Sequence, residues 1–183
     1  MTLKTQGATA LLVTAALLSA CVSQSTYNQE VQKTRTYQQL DDQLKGEIAA
    51  DQAQITQLQN VVRVTLANGI LFPEGGWELN DAGKATLTKL APVLKTLTGQ
   101  KLEVKGYTDN VPIGPELRAR FPSNAELSKA RAQSVADFLI AQGVPASIIT
   151  TGGFGDASPV ASNDTAQGRA KNRRVVMDIV EAK

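Results

Sequence analysis

The sequence predicts an α+β fold, a mixed sheet of βαβαβ type packed by helices and preceded by an N-terminal helical segment. Three observations predict it. Short β-branched or alternating runs (Val61–Leu66, Leu102–Gly106, Ile148–Thr151, Arg174–Val180) are separated by stretches whose apolar residues recur at helical spacing. Helix-start signals stand in front of those stretches, at Asn80 and at Ser123 with Glu126. The composition also changes near residue 60: residues 24 to 60 are rich in Gln, Asp, Lys, Thr and Ala, with no Pro and one Gly, Gly46. Strands alternating with helices imply a sheet with helices packed against it.

Taken in order, the chain opens with Lys4 and the apolar run Ala8 to Ala20. That run is shorter than the roughly 20 residues needed to cross a hydrocarbon core, and with its small-residue end it reads as an export signal over residues 1–20. The signal ends in Leu18-Ser19-Ala20-Cys21, and Cys21 is the only cysteine. These four residues resemble the lipobox of bacterial lipoproteins, which implies that Cys21 becomes the acylated first residue of the mature chain. No disulfide is then available. Several acyl chains on one residue would hold the protein firmly, at about 0.8 kcal/mol per buried methylene. Val22 and Ser23 follow, and in enteric-type lipoproteins the absence of Asp there implies the outer membrane. Removing residues 1–20 takes away only Lys4, so the mature chain stays near neutral and gives no reason to invoke nucleic acid.

Residues 21–60 are expected to form a tether. Val31, Tyr37, Leu40, Leu44, Ile48, Ile55, Leu58 and Val62 make a narrow helical stripe that Asp51 interrupts. The segment is either a coiled coil that makes a homo-oligomer or a lone solvated helix. Thirty-odd helical residues would span on the order of 50 Å.

The folded domain is expected over 61–183. Val61–Leu66 reads as a strand, with Asn68-Gly69 as a turn before Ile70-Leu71-Phe72. Asn80 caps a helix whose apolar face carries Leu87, Leu90, Leu94 and Leu97, and Pro92 should bend or break it. Leu102, Val104 and Gly106 alternate with charged residues in a half-buried strand. Ser123 and Glu126 form a capping box for a helix that stops near Gly143. Ile148–Thr151 is a strand, Asn163–Ala170 a short helix or turn, and Arg174–Val180 the last strand.

One acid and one base stand out. Asp109 follows the Leu102–Gly106 strand, and Arg131 lies about two turns into the Ser123 helix. Held apart on separate elements, they suit either a zwitterion with ammonium and carboxylate on one carbon or an intramolecular salt bridge.

Three motifs occur in order: Gly106-Tyr-Thr-Asp-Asn110, Asn124-x-x-Leu127-Ser128-x-x-Arg131-Ala132 and Gly168-Arg-Ala-x-Asn172-Arg-Arg-Val175. Together with Phe72 and Gly152-Gly-Phe-Gly155, they resemble the OmpA-like C-terminal domain over roughly residues 61 to 180. The resemblance implies a pocket for diaminopimelate, the third residue of the peptidoglycan stem peptide. Asp109 would then receive its ammonium group and Arg131 its carboxylate. Asn124, Arg173, Thr108 and Asn110 complete the implied site, which needs no cofactor beyond the lipid on Cys21. The implied protein is a non-enzymatic outer-membrane lipoprotein facing the periplasm and joining that membrane to the wall. The alternative is a lipid-anchored accessory that positions an efflux, secretion or motility complex on the wall.

The sequence departs from the family pattern in three places. Tyr107 replaces a frequent histidine, Pro73 and Gly75 stand where Asp and Asn are common, and the loop Val111–Pro122 is long. Arg118 and Arg120 in that loop are either solvated or in contact with the stem peptide. Trp77 either stacks on a sugar or is partly buried. Arg174 is expected to serve folding. The absence of histidine removes zinc amidases and histidine-activated nucleophiles, and no Ser-x-x-Lys is present. A glycosidase would need only two carboxylates, and composition alone does not remove it.

Overall fold

The computed structural model describes residues 23–182, so the signal segment and Cys21 lie outside the described residues. Within them the chain runs α1 (Gln24–Gln43), α2 (Lys45–Ala49), β1 (Ala53–Leu58), β2 (Val61–Ala67), α3 (Asn68–Leu71), α4 (Asp81–Lys95) and β3 (Gln100–Tyr107). It continues with α5 (Pro115–Arg118), α6 (Asn124–Ala141), β4 (Ile149–Gly153), α7 (Ala166–Asn172) and β5 (Arg174–Glu181). The five strands lie in the order β1-β2-β5-β3-β4; only β3 and β4 are parallel.

Alternation decides which face is buried. Val62, Val64 and Leu66 of β2 point to one face and register with Ile179, Met177 and Val175 of β5, which in turn neighbour Leu102 and Val104 of β3. Leu87, Leu90 and Leu94 of α4 and Ala132, Val135 and Leu139 of α6 cover that face. Among the described residues no helix packs over the other face. There Asp178, 2% exposed, accepts from Arg63 Nε and Nη2 (2.6 and 2.8 Å) and from Lys105 Nζ (3.0 Å). The aliphatic stems of those long side chains supply the cover.

The N-terminal segment differs from the predicted tether. Residues 21–60 are not one helix: α1 and α2 are followed by β1, which pairs antiparallel with β2 through the turn at Gln59-Asn60. Thr36, Leu40 and Leu44 are buried, and the last two belong to the main core, where α1 packs on α4, β1 and β2. The seam read as a coiled-coil stripe is thus partly spent on the domain itself. Residues 23–32 are exposed, so the free stretch at the start of α1 is nearer about 15 Å than 50 Å. The reversal into β1 comes from Asp51, whose φ of 56° is left-handed. Asp51 N–H donates to the Ile48 carbonyl and Gln52 N–H to that of Glu47, the paired bonds of a Schellman closure made without glycine.

Two smaller expectations also change. Asn68-Gly69 is no simple turn but part of the single helical turn α3, closed by Phe72 N–H donating to the Asn68 carbonyl. Pro92 does not break α4, which continues to Lys95; so near the helix end a missing N–H forfeits only one bond. The cap of α4 by Asn80 and the capping box of α6 are present as predicted.

Candidate functional site

The site lies where strand ends and one helix converge. β3 ends at Tyr107, and Thr108 and Asp109 follow immediately, both buried. The Thr108 N–H donates to the Gly155 carbonyl at 2.7 Å, and its hydroxyl to the Asp109 carbonyl at 2.8 Å, so Thr108 positions the aspartate. α6 is brought against β3 and β4 by two glycines. A Cβ at Gly106 would meet the Ser128 carbonyl oxygen at 2.0 Å, and one at Gly153 the Ala125 oxygen at 2.3 Å. The close approach also lets the Ser128 hydroxyl accept from Gly155 N–H at 2.9 Å. Arg131, one turn further along α6, therefore reaches the same space as Asp109.

A cavity of about 750 Å³ opens there, and Thr108, Asp109, Asn124, Arg131 and Arg173 all line it. Asn110 is exposed and is not part of its wall; Cys21 lies outside the described residues. Asp109 Oδ2 accepts from Arg173 Nη1 at 2.5 Å, while Oδ1 accepts from Val111 N–H at 3.1 Å. The aspartate thus has a salt bridge, but with Arg173 rather than with Arg131. Asn124 Nδ2 donates to the carbonyls of Val111 (3.1 Å) and Asp109 (3.4 Å), fixing the loop that carries the carboxylate.

Arg131 is 4% exposed and no carboxylate pairs with it among the described residues. Its Nε donates to the Gly76 carbonyl at 2.8 Å, and its guanidinium carbon stands 5.8 Å from the centre of the Phe72 ring. The terminal nitrogens make no hydrogen bond within the described residues. Burial and the nearby Arg173 charge push its pKa down to about 10, against a smaller opposing pull from Asp109, so it stays charged at neutral pH. A planar fork held by Nε and open at its other end is the geometry that grips a carboxylate with two parallel bonds. Asp109 and Arg131 then offer one zwitterion two complementary charges.

The long loop supplies apolar wall. Val111, Ile113 and Leu117 line the cavity, anchored by a small cluster of Ile113, Phe121 and Leu127. Trp77 packs edge-on to Phe121 at 5.0 Å beneath Arg120, 4.4 Å from the indole centre. Arg118 donates to the Ile113 carbonyl; neither loop arginine lines the cavity. Arg174 is buried over Tyr107 and donates to the Asn172 and Ser158 carbonyls, a folding role as expected. The sequence reading missed Asn68, Arg169 and the Gly76 carbonyl. Arg169 stood inside a motif already noted, whereas the other two depend on loop geometry that no spacing encodes.

Comparison with known proteins identifies the family. The OmpA family model matches residues 71–173. The chain is 39% identical over 149 residues to the probable lipoprotein YiaD of Escherichia coli, covering 81% of this chain and 61% of that one. It is 40% identical over 118 residues to the peptidoglycan-binding protein ArfA of Mycobacterium tuberculosis, covering 64% and 34%. The chain thus spans about three fifths and one third of the lengths of these relatives. The fold superposes on the cell wall anchor of the type VI secretion system of Pseudomonas aeruginosa with a TM-score of 0.70 and 36% identity, covering 79% and 97%. This chain belongs to the OmpA family.

Proposed function

We propose that this OmpA-family chain is a non-enzymatic lipoprotein that binds peptidoglycan through the diaminopimelate of the stem peptide and ties the outer membrane to the wall. One observation carries the reading. A buried guanidinium with unpaired terminal nitrogens and a buried carboxylate face one cavity, set by different elements at fixed positions. Arg131 takes the ligand carboxylate. Asp109 takes the ammonium, exchanging its Arg173 partner, whose side chain is 40% exposed and free to turn aside. Asn124 and Thr108 hold the Asp109 segment. The names of ArfA and YiaD support peptidoglycan as the ligand and a lipid anchor at Cys21. The exposed start of α1 then spaces the domain from the membrane.

The likeness to a secretion-system wall anchor favours a second reading, in which the chain positions a larger assembly on the wall. Both readings share the same pocket. Co-sedimentation with purified peptidoglycan tests it. Asp109→Ala and Arg131→Ala should each leave the protein in the supernatant, since stranding one partner of a buried charge pair costs about 2–5 kcal/mol of binding. Wild-type pelleting by both variants would overturn the assignment.

A further inference from the structure

Gln52 precedes β1, Asn68 follows β2, Arg173 precedes β5 and Asp109 lies just past β3, all at the same end of the sheet. Three strand spacings separate β3 from β1, about 14 Å. The cavity follows this line as far as Asn68, Ile70 and Gln52. A second cavity of about 400 Å³ shares Gln52, Gly69 and Ile70 with the first, so the two adjoin along one line, together called the groove. Its far wall is Glu47 and Thr86.

Glu47 is 9% exposed. Its Oε1 accepts from Lys89 Nζ at 2.7 Å, but its Oε2 has no partner among the described residues. Burial would raise this carboxyl, yet Lys89 holds it below the ordinary range, so it is ionised. Lys89 is half-exposed, as Arg173 is over Asp109. Each end of the groove thus holds a buried carboxylate capped by a cation that can swing into solvent. Between them Asn68, 7% exposed, has a side-chain oxygen with no donor in the described residues. Buried acceptors left unpaired cost about 1–3 kcal/mol each, and nitrogen donors arriving with a ligand would relieve that.

We propose that the groove is an extended peptide site whose second end, at Glu47, takes a nitrogen donor such as an amide and rejects a carboxylate. This rests on reading Asp109 and Arg131 as the diaminopimelate end. A stretched chain rises about 3.4 Å per residue, so the 14 Å groove suits about four residues. The N-terminal segment is then part of the binding site, because α2 and the turn into β1 supply Glu47 and Gln52. A carboxylate beside Glu47 meets a like charge, which gives the site selectivity by repulsion.

Titration calorimetry separates the two ends. The ligands are diaminopimelate and a diaminopimelate-containing tetrapeptide with its far terminus either carboxamide or carboxylate. Wild type should prefer the carboxamide by about tenfold, equivalent to about 1.4 kcal/mol. Glu47→Gln should abolish that preference while binding diaminopimelate as wild type does. Equal affinity of wild type for the two tetrapeptides, which needs no variant, overturns the subsite. So does a preference that survives in Glu47→Gln. If no ligand binds wild type, the diaminopimelate reading itself fails, and the subsite with it.

Discussion

Replacing Leu40 by Ala tests whether α1 belongs to the folded unit. Leu40 is 0% exposed and sits in the main core with Leu44, although it lies in a segment whose sequence reads as a tether. The substitution removes three carbon groups at about 0.8 kcal/mol each, a transfer cost of roughly 2.4 kcal/mol. A residual cavity of about 50 Å³ adds roughly 1 kcal/mol at about 24 cal/mol per Å³. The expected loss is therefore about 3–4 kcal/mol, or a fall in Tm of roughly 6–15 °C for a domain of this size. Urea and thermal unfolding measure it, with Tyr27→Ala as the control. Tyr27 is 59% exposed at the start of the same helix, and its removal should stay within about 0.5 kcal/mol. Equal, small effects at both positions would mean that α1 does not dock, and the reassignment of residues 24–58 to the domain would be wrong.

Three further outcomes follow from named contacts. Gly106→Ala places a Cβ 2.0 Å from the Ser128 carbonyl, so α6 must move; we expect a lower Tm by calorimetry together with loss of peptidoglycan binding through displaced Arg131. Asp178→Asn should cost about 1–3 kcal/mol at neutral pH, discounted because Arg63 is two-fifths exposed. Burial alone would raise the Asp178 carboxyl, but Arg63 and Lys105 hold it below the usual carboxylate range. Its contribution is therefore full above the ordinary carboxylate pKa and lost as pH falls through the lowered folded value; acid unfolding profiles of wild type and variant should converge there. Ser123→Ala removes the α6 cap, whose hydroxyl accepts from Glu126 N–H, at about 1 kcal/mol in chemical denaturation.

The helices and strands around the pocket were legible because their signals are local. Ser123 and Glu126 announce α6, Asn80 announces α4, and alternation at Leu102, Val104 and Gly106 announces β3. β1 was not legible. Ile55 and Leu58 continue a 3.6-residue spacing from Leu44 and Ile48, and the reversal between them is made by a left-handed Asp51 instead of the glycine that normally marks one. Of the site, the residue types and the elements carrying Asp109 and Arg131 could be read from spacing, with Asn124 and Arg173 added by family resemblance. The pairing could not. Which arginine meets Asp109 depends on β5 lying beside β3, a long-range fact, and Arg131 is held by the Gly76 carbonyl, a group every residue possesses.

Titration calorimetry with diaminopimelate and with pimelate, the same dicarboxylate without amino groups, bears most directly on the reading of Asp109 and Arg131 as a zwitterion site. Wild type should bind diaminopimelate at one site and pimelate far more weakly, because only the former supplies an ammonium for Asp109. Asp109→Ala and Arg131→Ala should each weaken diaminopimelate by at least about thirtyfold, the lower end of a 2–5 kcal/mol loss. Equal affinity for the two ligands, or undiminished binding by both variants, would contradict the account.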